Sequence, residues 1–186
     1  PLHLALSHDE EIGCIGVHSL IDMLADTPVK PSMCIVGEPT SMAIAIGHKG
    51  KTAIEAKCVG SAAHSALAPQ AVNAIHLACD LIEKIRRLQD DIALNGAQDM
   101  AYDVPHTTLH AGLITAGVAL NIVPDHAVVT FEIRNLETDN PEKILGRLRD
   151  AIAPVIAVAR QKIRHADIVF KLINSYPGLD TQLDAP

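Results

Sequence analysis

The sequence predicts a mixed α/β protein in two parts, on three observations. A strand-helix-strand pattern opens the chain, as in a piece of a parallel α/β sheet. Four later stretches then read as strands, with apolar residues alternating or clustered as a sheet requires. Two proline-initiated helices separate those four strands into a β-α-β-β-α-β order, which is that of a split, ferredoxin-like sandwich with its helices on one face. Gly47 and Gly50 mark the hinge between the parts, so residues 1–49 form the first and residues 50–175 the second.

Taken in order, Leu2-His3-Leu4-Ala5-Leu6 reads as a buried strand. Ile15, Val17, Leu20, Ile21 and Leu24 then recur at helical spacing, which predicts a helix from about Cys14 to Ala25. Pro28 and Pro31 end it, and Met33 to Val36 and Ala43 to Ile46 follow as short strands. Lys51 to Cys58 alternates as a strand. Pro69 opens a helix through Leu88, with Val72, Ile75, His76, Cys79, Ile82 and Ile85 on one side and Arg86 and Arg87 near its end, where the helix dipole favours cations. After a polar loop through Asn95-Gly96, Thr107 to Ile114 and Ala127 to Ile133 are strands joined around Gly117 and Pro124. Pro141 begins a second helix to about Ile163, and Ala166 to Ile173 is the last strand. Neither end reads as a natural domain terminus, so a piece of a longer protein is expected.

With 186 residues, 48% hydrophobic and 20% charged, the chain can bury a substantial core. A net charge of −7 and a pI near 5.7 oppose a phosphate-binding surface, and nucleic acid is excluded as a partner. No apolar run approaches the ~20 residues that span a bilayer, so no membrane partner is expected. Aromatic residues make up 2%, which leaves an aliphatic core and no base-stacking surface. Cys14, Cys34, Cys58 and Cys79 have no C-x-x-C spacing and read as reduced, buried thiols of a cytoplasmic protein.

Chemistry concentrates in a few places. Asp9-Glu10-Glu11 follows the first strand, and three adjacent acids oppose one another's ionisation unless a cation or water relieves them. Glu38, in Gly37-Glu38-Pro39-Thr40, stands at a second strand end. Two strand-end acids of one sheet can converge on a metal, with a neighbouring acid as base. The alternative is a solvated acidic turn ahead of a helix. His64 lies among small residues in a strand-to-helix loop, accessible for donating to a developing oxyanion or an ordinary loop histidine. Arg134, at a strand end, and Asn121 together suit a substrate carboxylate, the alternative being an arginine paired with Glu132 or Glu137. Asn73 reads as structural. His106 and His110 are four apart, but their strand-forming surroundings discount them as a metal pair. There is no G-x-G-x-x-G, P-loop, G-x-S-x-G or C-x-x-C.

Together these segments resemble the dinuclear zinc amidohydrolases, a family that includes acetylornithine deacetylase, succinyl-diaminopimelate desuccinylase and aminoacylase. The resemblance runs through Ser7 to Cys14, Ile35 to Thr40, His48-Lys49-Gly50-Lys51, Gly60 to Pro69, Asn73-Ala74-Ile75, Ala119 to Asp125 and Glu132-Ile133-Arg134. Within the family, His106 to Gly112, Asn121 to Asp125 and Tyr176 to Thr181 are most similar to the acetylornithine deacetylases, whereas Ala116-Gly117-Val118 departs from their Gly-Gly-Thr run. The resemblance implies a partial catalytic α/β domain at 1–49, a lid and dimerisation domain at 50–175, and a return toward the catalytic domain at 176–186. It implies Glu10 as general base, Glu11 and Glu38 as ligands of two zinc ions (cobalt can substitute), and His64 as a lid histidine reaching into a partner subunit. It also implies Asn121 and Arg134 as holders of the substrate carboxylate. The remaining ligands of the family's cage lie outside these residues, so no metal binding or activity is expected from these residues alone. The implied reaction is removal of the acetyl group from N-acetylornithine in arginine biosynthesis, by a homodimer joined through the lid. The rival readings are hydrolysis of a succinylated or other N-acyl amino acid, and a non-catalytic dimerisation module.

Overall fold

A computed structural model describes residues 2–28 and 30–181, which fall into two compact units. One comprises the described residues up to Ile46 together with Thr181, and the other is Gly47–Asp180.

The first unit holds one helix, α1 (Val17–Asp26), and no strand among its described residues. The helix begins later than apolar spacing predicts because Gly13 and Cys14 take left-handed backbone angles, φ 107° and 59°, in the turn before it. It ends at Asp26, where Thr27 is extended and Pro28 follows. The strands expected at Leu2 to Leu6, Met33 to Val36 and Ala43 to Ile46 do not form. A strand is stable only beside another, and none of these stretches enters a ladder, although the Ile46 carbonyl accepts from the Thr181 N–H at 2.8 Å. Their apolar side chains stay in water, Leu2, Ile35 and Ile44 among them.

The second unit is a four-stranded antiparallel sheet under two long helices. Its elements are β1 (Gly47–His48), β2 (Lys51–Val59), β3 (Ala63–His64), a 3-10 turn (Ser65–Gln70), α2 (Ala74–Asn95), β4 (Thr108–Ala116), β5 (Ile122–Val123), β6 (His126–Arg134), α3 (Pro141–Lys162), β7 (Asp167–Tyr176) and β8 (Leu179–Asp180). The main sheet runs β4-β6-β2-β7, each neighbour antiparallel, while β3 pairs with β5 and β1 with β8.

Strand alternation builds the core. Ile54, Ala56 and Cys58 of β2 and Ala127, Val129, Phe131 and Ile133 of β6 point to the helix side and are buried. They meet Leu77, Leu81, Ile85, Leu88 and Ile92 of α2 and Ile144, Leu148 and Ile152 of α3, each set at helical spacing. Phe131 stands edge-to-face with Phe170, ring centroids 6.3 Å apart.

Two sequence expectations change here. Pro69 sits in the 3-10 turn, and α2 starts five residues later because the Asn73 side chain caps it, accepting from the Ile75 N–H at 2.8 Å. The helix then runs on to Asn95, so Arg86 and Arg87 lie mid-helix, and Arg87 pairs with Glu83 one turn back. The buried face of α2 is therefore Ala74-Leu77-Ala78-Leu81, and His76 and Cys79 face water. By contrast α3 starts as expected at Pro141, with Asn140 capping the Lys143 N–H and Arg160 and Lys162 in its last turn.

The four thiols are free, but their settings differ: Cys58 is buried, Cys14 half-buried, and Cys34 and Cys79 exposed, against the expectation that all four are buried. Burial pushes the Cys58 thiol up to about 12 from an ordinary 9.0. The folded state therefore holds a proton that the unfolded chain releases, and this contribution is intact below pH 9.0 and is lost as pH rises toward 12. Thiol titration of the native protein at pH 8 is expected to modify Cys34 and Cys79 quickly and Cys58 only on unfolding. Fast native reaction at Cys58 would contradict this packing. No helix among the described residues is long and apolar enough to cross a membrane.

Candidate active site

The acidic triplet opens a turn instead of closing a strand. Asp9 has φ 58° and its carboxylate lies 3.0 Å from His8 Nδ1, while the N–H groups of Gly13 and Cys14 donate to the Glu10 carbonyl at 3.0 and 2.9 Å. The Glu10 carboxylate meets the Cys14 thiol at 3.9 Å. Glu38 sits in a separate extended stretch whose local bonds are Glu38 N–H to the Val36 carbonyl and Thr40 N–H to the Glu38 carbonyl. Glu10, Glu11 and Glu38 are all exposed. Zinc takes about four ligands in a closed site. Among the described residues no group of three or more His, Cys, Asp or Glu side chains is placed to hold a metal ion. The sheet edge expected to bring these acids together is not formed, and they do not by themselves fit a metal cage.

His64 and Asn121, in contrast, are brought together. Gly60 leads from β2 into a tight loop, its N–H donating to the Asp125 carbonyl at 2.7 Å. A side chain at Gly60 would collide with the Val72 carbonyl, so this turn requires glycine. Ser61 closes the loop against Val72 through its N–H and its hydroxyl. The ladder of β3 and β5 then sets His64 opposite Ile122, and the Ser65 N–H donates to the Asn121 carbonyl at 2.9 Å.

The tautomer of His64 follows from one bond. The Ala66 N–H donates to His64 Nδ1 at 3.2 Å. Because a backbone N–H only donates, Nδ1 keeps its lone pair and the neutral ring carries its proton on Nε2. An exposed Nε2–H is a ready donor to an oxygen that gains negative charge.

Arg134 occupies the far end of β6. From His126 to Arg134 the strand advances eight residues, roughly 26 Å at about 3.3 Å each. One carboxylate therefore cannot touch Asn121 and Arg134 of the same chain, and a shared grip would need two chains. The Arg134 Nε donates to Glu132 at 2.9 Å and its Nη1 to the Tyr176 hydroxyl at 3.1 Å, with Lys51 Nζ 3.9 Å from the same glutamate. Burial pulls the Arg134 pKa down, but the bond and charge of Glu132 and the Tyr176 hydroxyl outweigh it, so the guanidinium stays charged. Tyr176 also lines a cleft of about 430 Å³ with Asn135, Asp139 and Ser175, and its ring meets His48 edge-on.

Glu132 is the partner that the sequence offered as the alternative for Arg134, whereas Tyr176 and Lys51 were missed as its neighbours. The signal was present in alternation, since β2, β6 and β7 each send every second residue to the open face of the sheet. Lys49, quoted only within a motif, is a structural clamp. Its ammonium donates to the carbonyls of Val104 at 2.7 Å and His106 at 2.5 Å and lies 5.5 Å from the Tyr102 ring centroid.

Residues 46–158 match the family described as "Peptidase dimerisation domain". The chain is 28% identical over all 186 residues to an acetylornithine deacetylase of Vibrio vulnificus (strain CMCP6), covering 47% of that protein. It is 32% identical over 155 residues, 83% of this chain, to the acetylornithine deacetylase of Shigella sonnei (strain Ss046), covering 39% of it. The chain thus spans less than half the length of these curated relatives. Among solved structures, the aminobenzoyl-glutamate utilization protein from Klebsiella pneumoniae superposes with a TM-score of 0.55 at 18% identity, over 73% of this chain and 31% of that one. A hydantoinase/carbamoylase family amidase from Burkholderia ambifaria gives 0.56 at 16%, over 72% and 29%. These two share the fold.

Proposed function

The chain belongs to the peptidase dimerisation domain family, and from that premise we propose that it is the dimerisation and substrate-covering part of a metal-dependent amidohydrolase. The reaction is hydrolysis of an N-acyl amino acid: the amide C–N bond breaks, water supplies hydroxyl to the acyl carbon, and the amine leaves with a proton. The proposed substrate is N-acetylornithine, which places the protein in arginine biosynthesis. Two relatives named acetylornithine deacetylase support this, with the local motifs from His106 to Asp125. The whole protein is proposed to use zinc or cobalt, with Glu11 and Glu38 as ligands and Glu10 as base. Those acids do not assemble a cage among the described residues. The four free thiols support a cytoplasmic location.

The observation that carries the reading is the fixed tautomer of His64 beside Asn121. The Nε2–H donates to the acyl oxygen as it becomes an oxyanion, and the Asn121 amide orients the substrate. Arg134, held as a cation by Glu132, takes the substrate carboxylate. With about 26 Å of β6 between them, His64 and Arg134 of one chain serve two different sites. A complete site then draws Arg134 from one subunit and His64 with Asn121 from another, which makes a homodimer part of the proposal. The β-α-β-β-α-β order of the long elements, with both helices in one core, supports the ferredoxin-like lid.

The test is acetate release from N-acetylornithine by the whole protein, with and without added Zn²⁺ or Co²⁺, beside a panel of other N-acyl amino acids. Metal-dependent turnover is expected. If no member of the panel is cleaved, the amidohydrolase reading fails and a non-catalytic dimerisation module is left.

A further inference from the structure

The loop that carries Asn121 has a second chemical character that the reaction does not use. Between β4 and β5, Gly117 takes φ 72° and the Ile122 N–H donates to the Ala119 carbonyl at 3.2 Å, so the chain makes a tight corner. Leu120 stands at this corner, 102% exposed, and Val118 is 88% exposed two residues earlier. One leucine in water needs no explanation. Two aliphatic side chains flanking a candidate binding amide, with half-exposed Ile122 beside them, form a local apolar surface. Val118 and Ile122, but not Leu120, line a concavity of about 220 Å³ together with Ala116, Pro124 and Asp125.

The position of this surface is set by His64. Because His64 pairs with Ile122, and Leu120 is two residues further along a tight turn, Leu120 stands within about 10 Å of the histidine. If His64 donates to the acyl oxygen, the rest of the acyl group extends from a carbon one bond away from that oxygen. An acyl chain directed toward β5 comes within reach of this loop. The charge nearby has one sign that matters. Asp125 lines the concavity as a carboxylate, its pKa held below the usual range first by the hydrogen bond with His126. An anionic acyl tail would face that carboxylate and two aliphatic side chains, whereas a neutral aliphatic tail would cover them.

We propose that Val118 and Leu120 form the acyl-chain contact of the site, with Leu120 the residue that selects neutral aliphatic acyl groups and rejects succinyl. This rests on the amidohydrolase reading and narrows its substrate class to acetyl and short alkanoyl amides.

The experiment compares kcat/KM of the whole protein for the N-acetyl, N-butanoyl and N-succinyl derivatives of one amino acid, in wild type, Leu120→Ser and Leu120→Arg. Leu120 is fully exposed, so both variants are expected to fold, and circular dichroism checks this. Wild type should prefer butanoyl and acetyl over succinyl. Leu120→Ser should lower the butanoyl-to-acetyl ratio about tenfold, the scale of a lost apolar contact. Leu120→Arg should raise succinyl relative to acetyl by about as much. Ratios unchanged in both variants, with hydrolysis intact, would overturn the inference and spare the amidohydrolase reading. A fall from dimer to monomer with the acyl preference intact would instead make Leu120 an interface residue, again overturning it. No cleavage of any of the three derivatives by wild type would remove both readings together.

Discussion

Replacing His64 with alanine in the whole protein is expected to lower kcat by about 10²–10³-fold while leaving KM within a few-fold, the signature of a donor that acts in the transition state. The structure makes this a clean substitution. The ring is exposed and contributes one bond to its surroundings, the cap on the Ala66 N–H. Losing a capping acceptor costs about 1 kcal/mol, which the core of α2, α3 and the sheet can absorb. A stable variant with a collapsed kcat thus reports on chemistry. Steady-state kinetics beside a thermal melt separates the two, and an unaltered kcat would show that the oxyanion finds its donor elsewhere.

The second large effect is one that two dead proteins produce together. His64→Ala and Arg134→Ala should each be nearly inactive as homodimers. When they are mixed and allowed to exchange subunits, about a quarter of wild-type activity should return, because half the dimers become mixed and each of these has one intact site of two. On the proposed shared site, β4 is the edge expected to join the subunits. β4 runs straight into the loop bearing Asn121, so a copy paired along β4 lies beside the residues offered to it. A copy paired along β7 would lie three strand spacings away, about 14 Å. Leu113 and Ile114 of β4 are exposed and available for such pairing. Leu113→Lys should therefore give a monomer by light scattering and cancel the recovery. Recovery that survives in a monomer, or no recovery between exchanging dimers, would rule out the shared site.

The long elements of Gly47–Asp180 were legible because burial and period agree there. In β6 the alternation Ala127, Val129, Phe131, Ile133 repeats the face of a one-sided sheet, and Pro141 with Asn140 before it marks the start of α3. The start of α2 was misplaced because proline alone does not separate a 3-10 turn from an α-helix. Asn73 and its cap decide the matter, and a cap is visible only when one knows where the chain bends. The strands expected before Gly47 failed for a different reason. Apolar runs such as Leu2 to Leu6 state a preference for burial, and a preference becomes a strand only beside a partner. The relative placement of the candidate residues was not legible in the sequence. His64 and Asn121 are far apart in sequence and meet through β3 and β5, strands of two residues each that no periodicity can announce. Asn121 and Arg134 are closer in sequence, and an extended β6 drives them apart.

The pairing of β1 with β8 has a consequence for how such a protein could arise. Gly47 lies opposite Asp180 and His48 opposite Leu179, so the unit begins and ends at adjacent backbone positions. Gly50 and Gly178 pack against each other there so closely that a side chain on either would press on the other's backbone. A unit whose two ends meet can be spliced into a surface loop of another domain while displacing that loop's ends very little. With its ends adjacent, Gly47–Asp180 has the geometry of an insertable unit.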